Sequence, residues 1–239
     1  MWIIEWIRSK LTSKKGGNSA EENEAPLYQY GSISGLWYHG TESEWKNALK
    51  GYYYMLGTEQ RPIEEYFEHL DAVAVGKLDA QAFYEFLHDQ YFVWKYTAKN
   101  RLATTRKNLE KYIDNGELSD LGNIQKRLFA APKSDVRACL KIASEIRGLG
   151  TAGASGLLAV LFPKDFGTVD QFVAKRLQEI NHPIYHAELS NIRPEVLKIH
   201  EGVILIEIMR EKAKELNRKF NTDFWTPRKI DMVLWAFGR

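Results

Sequence analysis

The stretch Ile146-Arg147-Gly148-Leu149-Gly150-Thr151-Ala152-Gly153-Ala154-Ser155 limits what this chain can fold into more than any other. Its glycines sit between two segments of helical spacing. Before them Val136, Cys139, Leu140, Ala143 and Ile146 share one helical face behind a predicted cap at Ser134, and Gly148 is the predicted stop. After them Ala154 to Phe162 reads as a helix rich in small residues, ended by Pro163. Gly148 to Gly153 also satisfies G-x-G-x-x-G, with Asp170 about 20 residues on, where a dinucleotide-binding fold keeps its ribose-binding acid. That fold, and the nucleotide-dependent oxidoreductase it would serve, requires a β-strand before the first glycine. Lys141 to Arg147 is charged and helically patterned instead, which favours a turn between two helices.

Helical spacing dominates the rest of the chain. Trp45, Leu49, Tyr52, Tyr53 and Leu56 form one stripe, and Phe83, Phe86, Leu87, Tyr91 and Trp94 form another. Thr168 is the predicted N-cap of a helix burying Val169, Phe172, Val173, Leu177 and Ile180. Val203 to Phe220 is a long amphipathic helix, and Thr226-Pro227 opens one that runs to Gly238. Tyr28, Tyr30, Trp37 and Tyr38, scattered among glycines and serines between Pro26 and Gly40, suggest a short strand or irregular arm. Trp2, Ile3, Trp6, Ile7 and Leu11 make an amphipathic segment, followed by a polar linker from Gly16 to Ala25; Glu5 and Arg8 interrupt the apolar run of a signal peptide. The expected architecture is all-α, in two parts. Residues 1–25 are the N-terminal segment and linker. Residues 26–239 are a unit of two helical lobes, about 26–79 with 185–239 and about 80–184, facing a cleft.

A net charge of +2 places any affinity for an acidic polymer in local clusters. The single cysteine, Cys139, excludes an intrachain disulfide and any cysteine-held metal cluster and fits a reducing, cytoplasmic setting. No stretch has the roughly 20 apolar residues of a membrane span. His182 and His186 lie four apart but beside Pro183, with no third ligand, so neither metal nor organic cofactor is expected.

The glycine turn has a chemical reading beside the structural one. Glycine leaves room for a phosphate, and the free amides and positive dipole end of the following helix attract it without reading sequence. Phe166-Gly167-Thr168-Val169-Asp170 then sets a carboxylate at the next helix start, where the helix dipole favours negative charge. It is either a helix cap or a charge that stabilises an oxocarbenium-like sugar and orients water.

The run from Ile146 to Leu177 resembles the helix-hairpin-helix DNA glycosylase superfamily, which joins a Leu-Pro-Gly-Val/Ile-Gly hairpin, a small-residue helix and an aspartate-bearing loop before a further helix. The likeness is close over about 30 residues and implies that Asp170 is the catalytic aspartate and that double-stranded DNA is the partner of a monomeric enzyme. Arg147 and Gly167 stand where the family has prolines. Ala152 stands where the bifunctional 8-oxoguanine and endonuclease III-like members carry a Schiff-base lysine, so the resemblance implies a monofunctional enzyme that frees a damaged or modified base with water and leaves an abasic site. The target is an oxidised, alkylated, deaminated or phage hypermodified base, the last implying defence rather than repair. The four-cysteine cluster of several relatives is missing. Asn100 to Thr104, with Leu109 and Tyr112, is more loosely similar to the helix that mismatch adenine glycosylases place beside DNA.

The DNA-contacting candidates are Arg147, Gly148, Leu149, Gly150 and Thr151 of the hairpin, with Lys95, Lys99, Arg101 and Arg106. Trp94 and Tyr96 are candidates for the base pocket, and the alternative for the whole 91–106 stretch is core aromatics beside solvated charges. A non-catalytic DNA-binding module would keep the hairpin and the basic residues without needing Asp170.

Overall fold

The computed structural model describes residues 32–237, and these are helical without a strand. The expected segment at 1–15 and linker at 16–25 lie outside the described residues. The helices are α1 (Ile33–His39), α2 (Glu42–Met55), α3 (Arg61–Glu68), α4 (Ala72–Gly76), α5 (Ala80–Glu85), α6 (Phe92–Lys95), α7 (Lys99–Asp114) and α8 (Leu118–Ala130). They continue as α9 (Val136–Ser144), α10 (Thr151–Leu161), α11 (Gln171–Ile180), α12 (His186–Ser190), α13 (Ile199–Phe220) and α14 (Pro227–Phe237). A π-helical turn, Phe86–Tyr91, splices α5 to α6.

Local chemistry explains most of the boundaries. Thr41 and Glu44 close a reciprocal capping box on α2, whose Trp45, Ala48, Leu49 and Tyr52 are buried. Within the 26–40 stretch expected to be a strand or irregular arm, Ile33–His39 is a helix, and Tyr28 and Tyr30 lie outside the described residues. Ser32 caps it and Ile33, Leu36 and Trp37 bury one face. The cap of α9 is Asp135, which accepts from the Ala138 amide at 2.9 Å, and not Ser134. The cap of α11 is Asp170, and not Thr168.

α14 is the central strut. It packs on α2, α11, α13 and α10, while α9 joins α10, α13 and α8, and α11 also meets α1. Trp45, Tyr91, Leu157, Phe166, Leu205 and Leu234 all belong to one buried cluster. Cys139 is fully buried and burial pushes its thiol up, so it is an inert core residue. No helix among the described residues is long and apolar enough to cross a membrane.

Candidate functional site

The hairpin between α9 and α10 is built by one glycine in particular. Gly148 has φ +92°, and a Cβ there would lie 2.8 Å from the Thr105 carbonyl oxygen, so both the turn and its approach to α7 demand glycine. Gly150 has no such need. Its φ is −87° and a Cβ would meet nothing within 4 Å, so neither conformation nor space demands glycine there. It is the N-cap of α10 and leaves the amides of that helix start uncapped by any side chain. Leu149 and Thr151 are buried, which leaves only backbone to offer a ligand at these two positions.

Asp170 uses its two oxygens for different tasks. Oδ1 accepts from the amides of Phe172 at 2.9 Å and Val173 at 3.1 Å, fixing the carboxylate on the first turn of α11. Oδ2 faces a cleft of about 550 Å³, where the Lys95 ammonium stands 4.0 Å away. The capping acid and the presented charge, alternatives in the sequence, are thus one side chain. Its loop is pinned from two sides: Ser155 Oγ accepts from the Val169 amide at 2.9 Å, and the Thr168 amide donates to Asp231 Oδ2 at 2.6 Å.

Behind Asp170 lies a buried charge network that sequence reasoning missed. Arg228 donates to Asp231 Oδ1 at 2.6 Å and to Glu64 Oε1, and Glu64 Oε2 accepts from the Tyr52 hydroxyl at 2.8 Å and the Trp94 indole at 2.6 Å. Glu64, Arg228 and Asp231 are buried, tying α3, α6 and α14 behind the cleft. Burial, with the charge of Asp170, pushes the Asp231 carboxyl up to about 7 against the pull of Arg228, the Thr168 amide and Lys95. Burial works against the Arg228 charge as well, but Asp231, Glu64 and Tyr52 outweigh it and hold the guanidinium charged. One signal in the sequence was available. Arg228 and Asp231 lie three apart in a helix whose other inward residues, Ile230, Met232, Val233 and Leu234, are apolar, a pattern that calls for a buried partner.

The remaining candidates divide. Trp94, Tyr96, Lys95 and Arg101 line the cleft with Asp170, and Phe172 and Trp235 add aromatic wall from α11 and α14. Lys95 is not a surface residue, since its side chain is only 11% exposed. Lys99 and Arg101 are exposed at the start of α7. Arg106 is committed to the π-helical turn, donating to the His88 carbonyl at 3.0 Å and pairing with Asp89. Arg147 pairs with Glu117 and lies 4.3 Å over the Tyr112 ring, so each of these two arginines has an acidic partner that a phosphate would have to displace. Among the described residues no group of three or more His, Cys, Asp or Glu converges as a metal site. Comparison with protein-family models, with curated proteins and with solved structures gives no match.

Proposed function

We propose that this protein is a DNA glycosylase that hydrolyses the N-glycosidic bond of a damaged or modified base and leaves an abasic site. The observation that carries the reading is the division of labour on Asp170. A carboxylate anchored through one oxygen and open to a roomy cleft through the other is suited to stabilise the oxocarbenium-like sugar and orient water as the base departs. The cleft has the further parts that such a reaction needs. Trp94, Phe172 and Trp235 provide flat surfaces for a base taken out of the stack, and residues of both expected lobes line it, with Tyr52, Glu64 and Arg228 from one and Lys95 and Asp170 from the other. The uncapped start of α10 at Gly150 supplies amides for a phosphate. The test is a panel of duplexes, each carrying one modified base, incubated with the protein and scored for abasic sites by alkaline cleavage. Binding without base release on every member would reduce the protein to a DNA-binding module.

The two hairpin glycines separate folding from binding. Gly148→Ala forces a side chain into positive φ against Thr105 and is expected to cost about 1–3 kcal/mol, a loss of several degrees in Tm. Gly150→Val, at an extended φ facing open space, keeps the backbone path but replaces a good N-cap residue by a poor one, so it is expected to cost about 1 kcal/mol, a few degrees in Tm, and to weaken duplex binding regardless of sequence. Unchanged affinity in a folded Gly150→Val protein would assign the hairpin a structural role only.

Since Arg106 and Arg147 each have an acidic partner, the cations of this surface without one among the described residues are Lys99 and Arg101 at the start of α7. Replacing either by Gln is expected to lower the log–log salt slope of duplex binding by roughly 0.9. The same replacement of Arg106 should leave that slope where it was, and an equal fall there would contradict the internal pairing.

A further inference from the structure

The position that holds an amine in bifunctional relatives is Ala152 here, yet the fold brings an amine to the cleft from another helix. Lys95 ends α6, just beyond the π-helical turn, and its Nζ stands 4.0 Å from Asp170 Oδ2 and 5.9 Å over the Trp94 ring. Its stem lies against bare backbone of α10. A Cβ on Gly156 would be 3.1 Å from Lys95 Cδ and 3.3 Å from Cε, so a side chain there would displace it. Among the described residues Nζ donates no hydrogen bond within normal range, unlike the other deeply placed cations Lys212 and Arg228. A lysine enclosed in this way beside a carboxylate, with its terminal amine still on the cleft wall, is placed to react and not merely to pair.

We infer that Lys95 is a nucleophile that condenses with the C1′ aldehyde of the abasic sugar and gives the enzyme a strand-incising lyase activity. The inference rests on the glycosylase reading, and it assigns to the protein an amine that the Ala152 position alone denies it. In the step, the neutral Nζ adds to C1′ of the ring-opened sugar, the carbonyl electron pair takes a proton, and water leaves as the C1′–O bond breaks, giving a protonated imine. Removal of a C2′ proton then expels the 3′ phosphate as the C3′–O bond breaks. Hydrolysis of the conjugated imine returns Nζ and an unsaturated aldehyde, so no oxidant or reductant is consumed.

Burial favours the neutral amine. It lowers the Lys95 pKa, as does the charge of Arg228, while Asp170 on α11 and Asp231 on α14 draw it back up. Two tyrosines also reach this crossing: Tyr91 donates to the Gly153 carbonyl, and the Tyr96 hydroxyl lies against Gly153; burial raises both, Tyr91 well above the ordinary value and Tyr96 to about 12, so both stay neutral.

The probe is a duplex with one natural abasic site, which carries the aldehyde whatever base the enzyme prefers, treated with borohydride. The full-length protein is expected to yield a covalent adduct whose modified peptide contains Lys95, and a tetrahydrofuran analogue, which has no aldehyde, should yield none. Lys95→Arg keeps the charge beside Asp170 but has no nucleophilic amine, so it should lose the adduct while retaining duplex binding. The rate of trapping should rise with pH and level off below the range of an ordinary lysine. An adduct mapping to Lys99, Lys175 or the N-terminal amine, or one that survives Lys95→Arg, would overturn the inference. Base release from a modified duplex with no adduct on the abasic one overturns the lysine role and leaves the glycosylase reading standing. An adduct at Lys95 without release of any base does the reverse, leaving an abasic-site lyase.

Discussion

Asp170→Asn is expected to reduce base release by about 10²–10³-fold or more while leaving the fold and the duplex affinity intact. The substitution separates the two tasks of this side chain. Asparagine caps a helix as well as aspartate does, so the Oδ1 bonds from the Phe172 and Val173 amides are retained and α11 keeps its start. The negative charge that faces the cleft disappears, and with it the stabilisation of a sugar that becomes cationic only as the bond breaks. Affinity for DNA should hold or rise, since one repulsion with phosphate goes as well. Turnover on any base of the panel within a few-fold of wild type would remove Asp170 from the chemistry and reduce it to a cap.

The residues that make the hairpin legible in the sequence are those whose reasons are local. Val136, Cys139, Leu140 and Ala143 are buried on one face of α9 as their spacing requires, and Gly148 makes the positive-φ turn. Several of the expectations that need revision share a cause, which is a partner distant in the chain. Thr168 has a good capping side chain, but its amide is claimed by Asp231, and that fixes the loop so that the cap falls two residues later. Arg106 and Arg147 resemble DNA contacts in the sequence because nothing near them announces Asp89 or Glu117 as partners. Lys95 shows the limit most clearly. Its stripe of Phe83, Phe86, Leu87 and Tyr91 has helical spacing, but the π-helical turn inserts an extra residue per turn and rotates the next helix, so Trp94 and Lys95 turn toward the cleft. Periodicity sees the helix and misses the rotation. The α1 segment is obscured differently: glycine and serine around Trp37 and Tyr38 imitate an arm, and only the burial of Ile33, Leu36 and Trp37 reveals the helix.

The largest stability effect is expected at Arg228. Arg228→Met leaves Glu64 and Asp231 facing a buried apolar side chain with no cation, and removal of one member of such a set typically costs about 3–5 kcal/mol. At about 2–4 °C of Tm per kcal/mol for a chain of this size, the loss is on the order of 10 °C. The pH dependence has a definite sign. In the wild type, burial holds the Asp231 carboxyl at about 7, above its unfolded value, so the folded state binds more protons between the two. The Asp231 contribution to stability is therefore greatest below the unfolded value and is lost as pH rises to about 7. Without Arg228 the largest opposing pull is gone, leaving only the Thr168 amide and Lys95, and the Asp231 carboxyl resists ionisation further, so the gap between variant and wild type should be wide at alkaline pH and narrow toward acid. Thermal melts at pH 5 and pH 8 measure it, and an equal gap at both would mean that lost packing and not stranded charge is responsible. A triple variant, Glu64→Gln with Arg228→Met and Asp231→Asn, removes the charges together and should recover much of the stability, as replacement of a whole buried ion set does. Base release should return with it, because an amide oxygen at position 231 can still accept the Thr168 amide and hold the loop that presents Asp170. Recovery of stability without base release would show that the charges of the network, and not only its hydrogen bonds, are needed at the site.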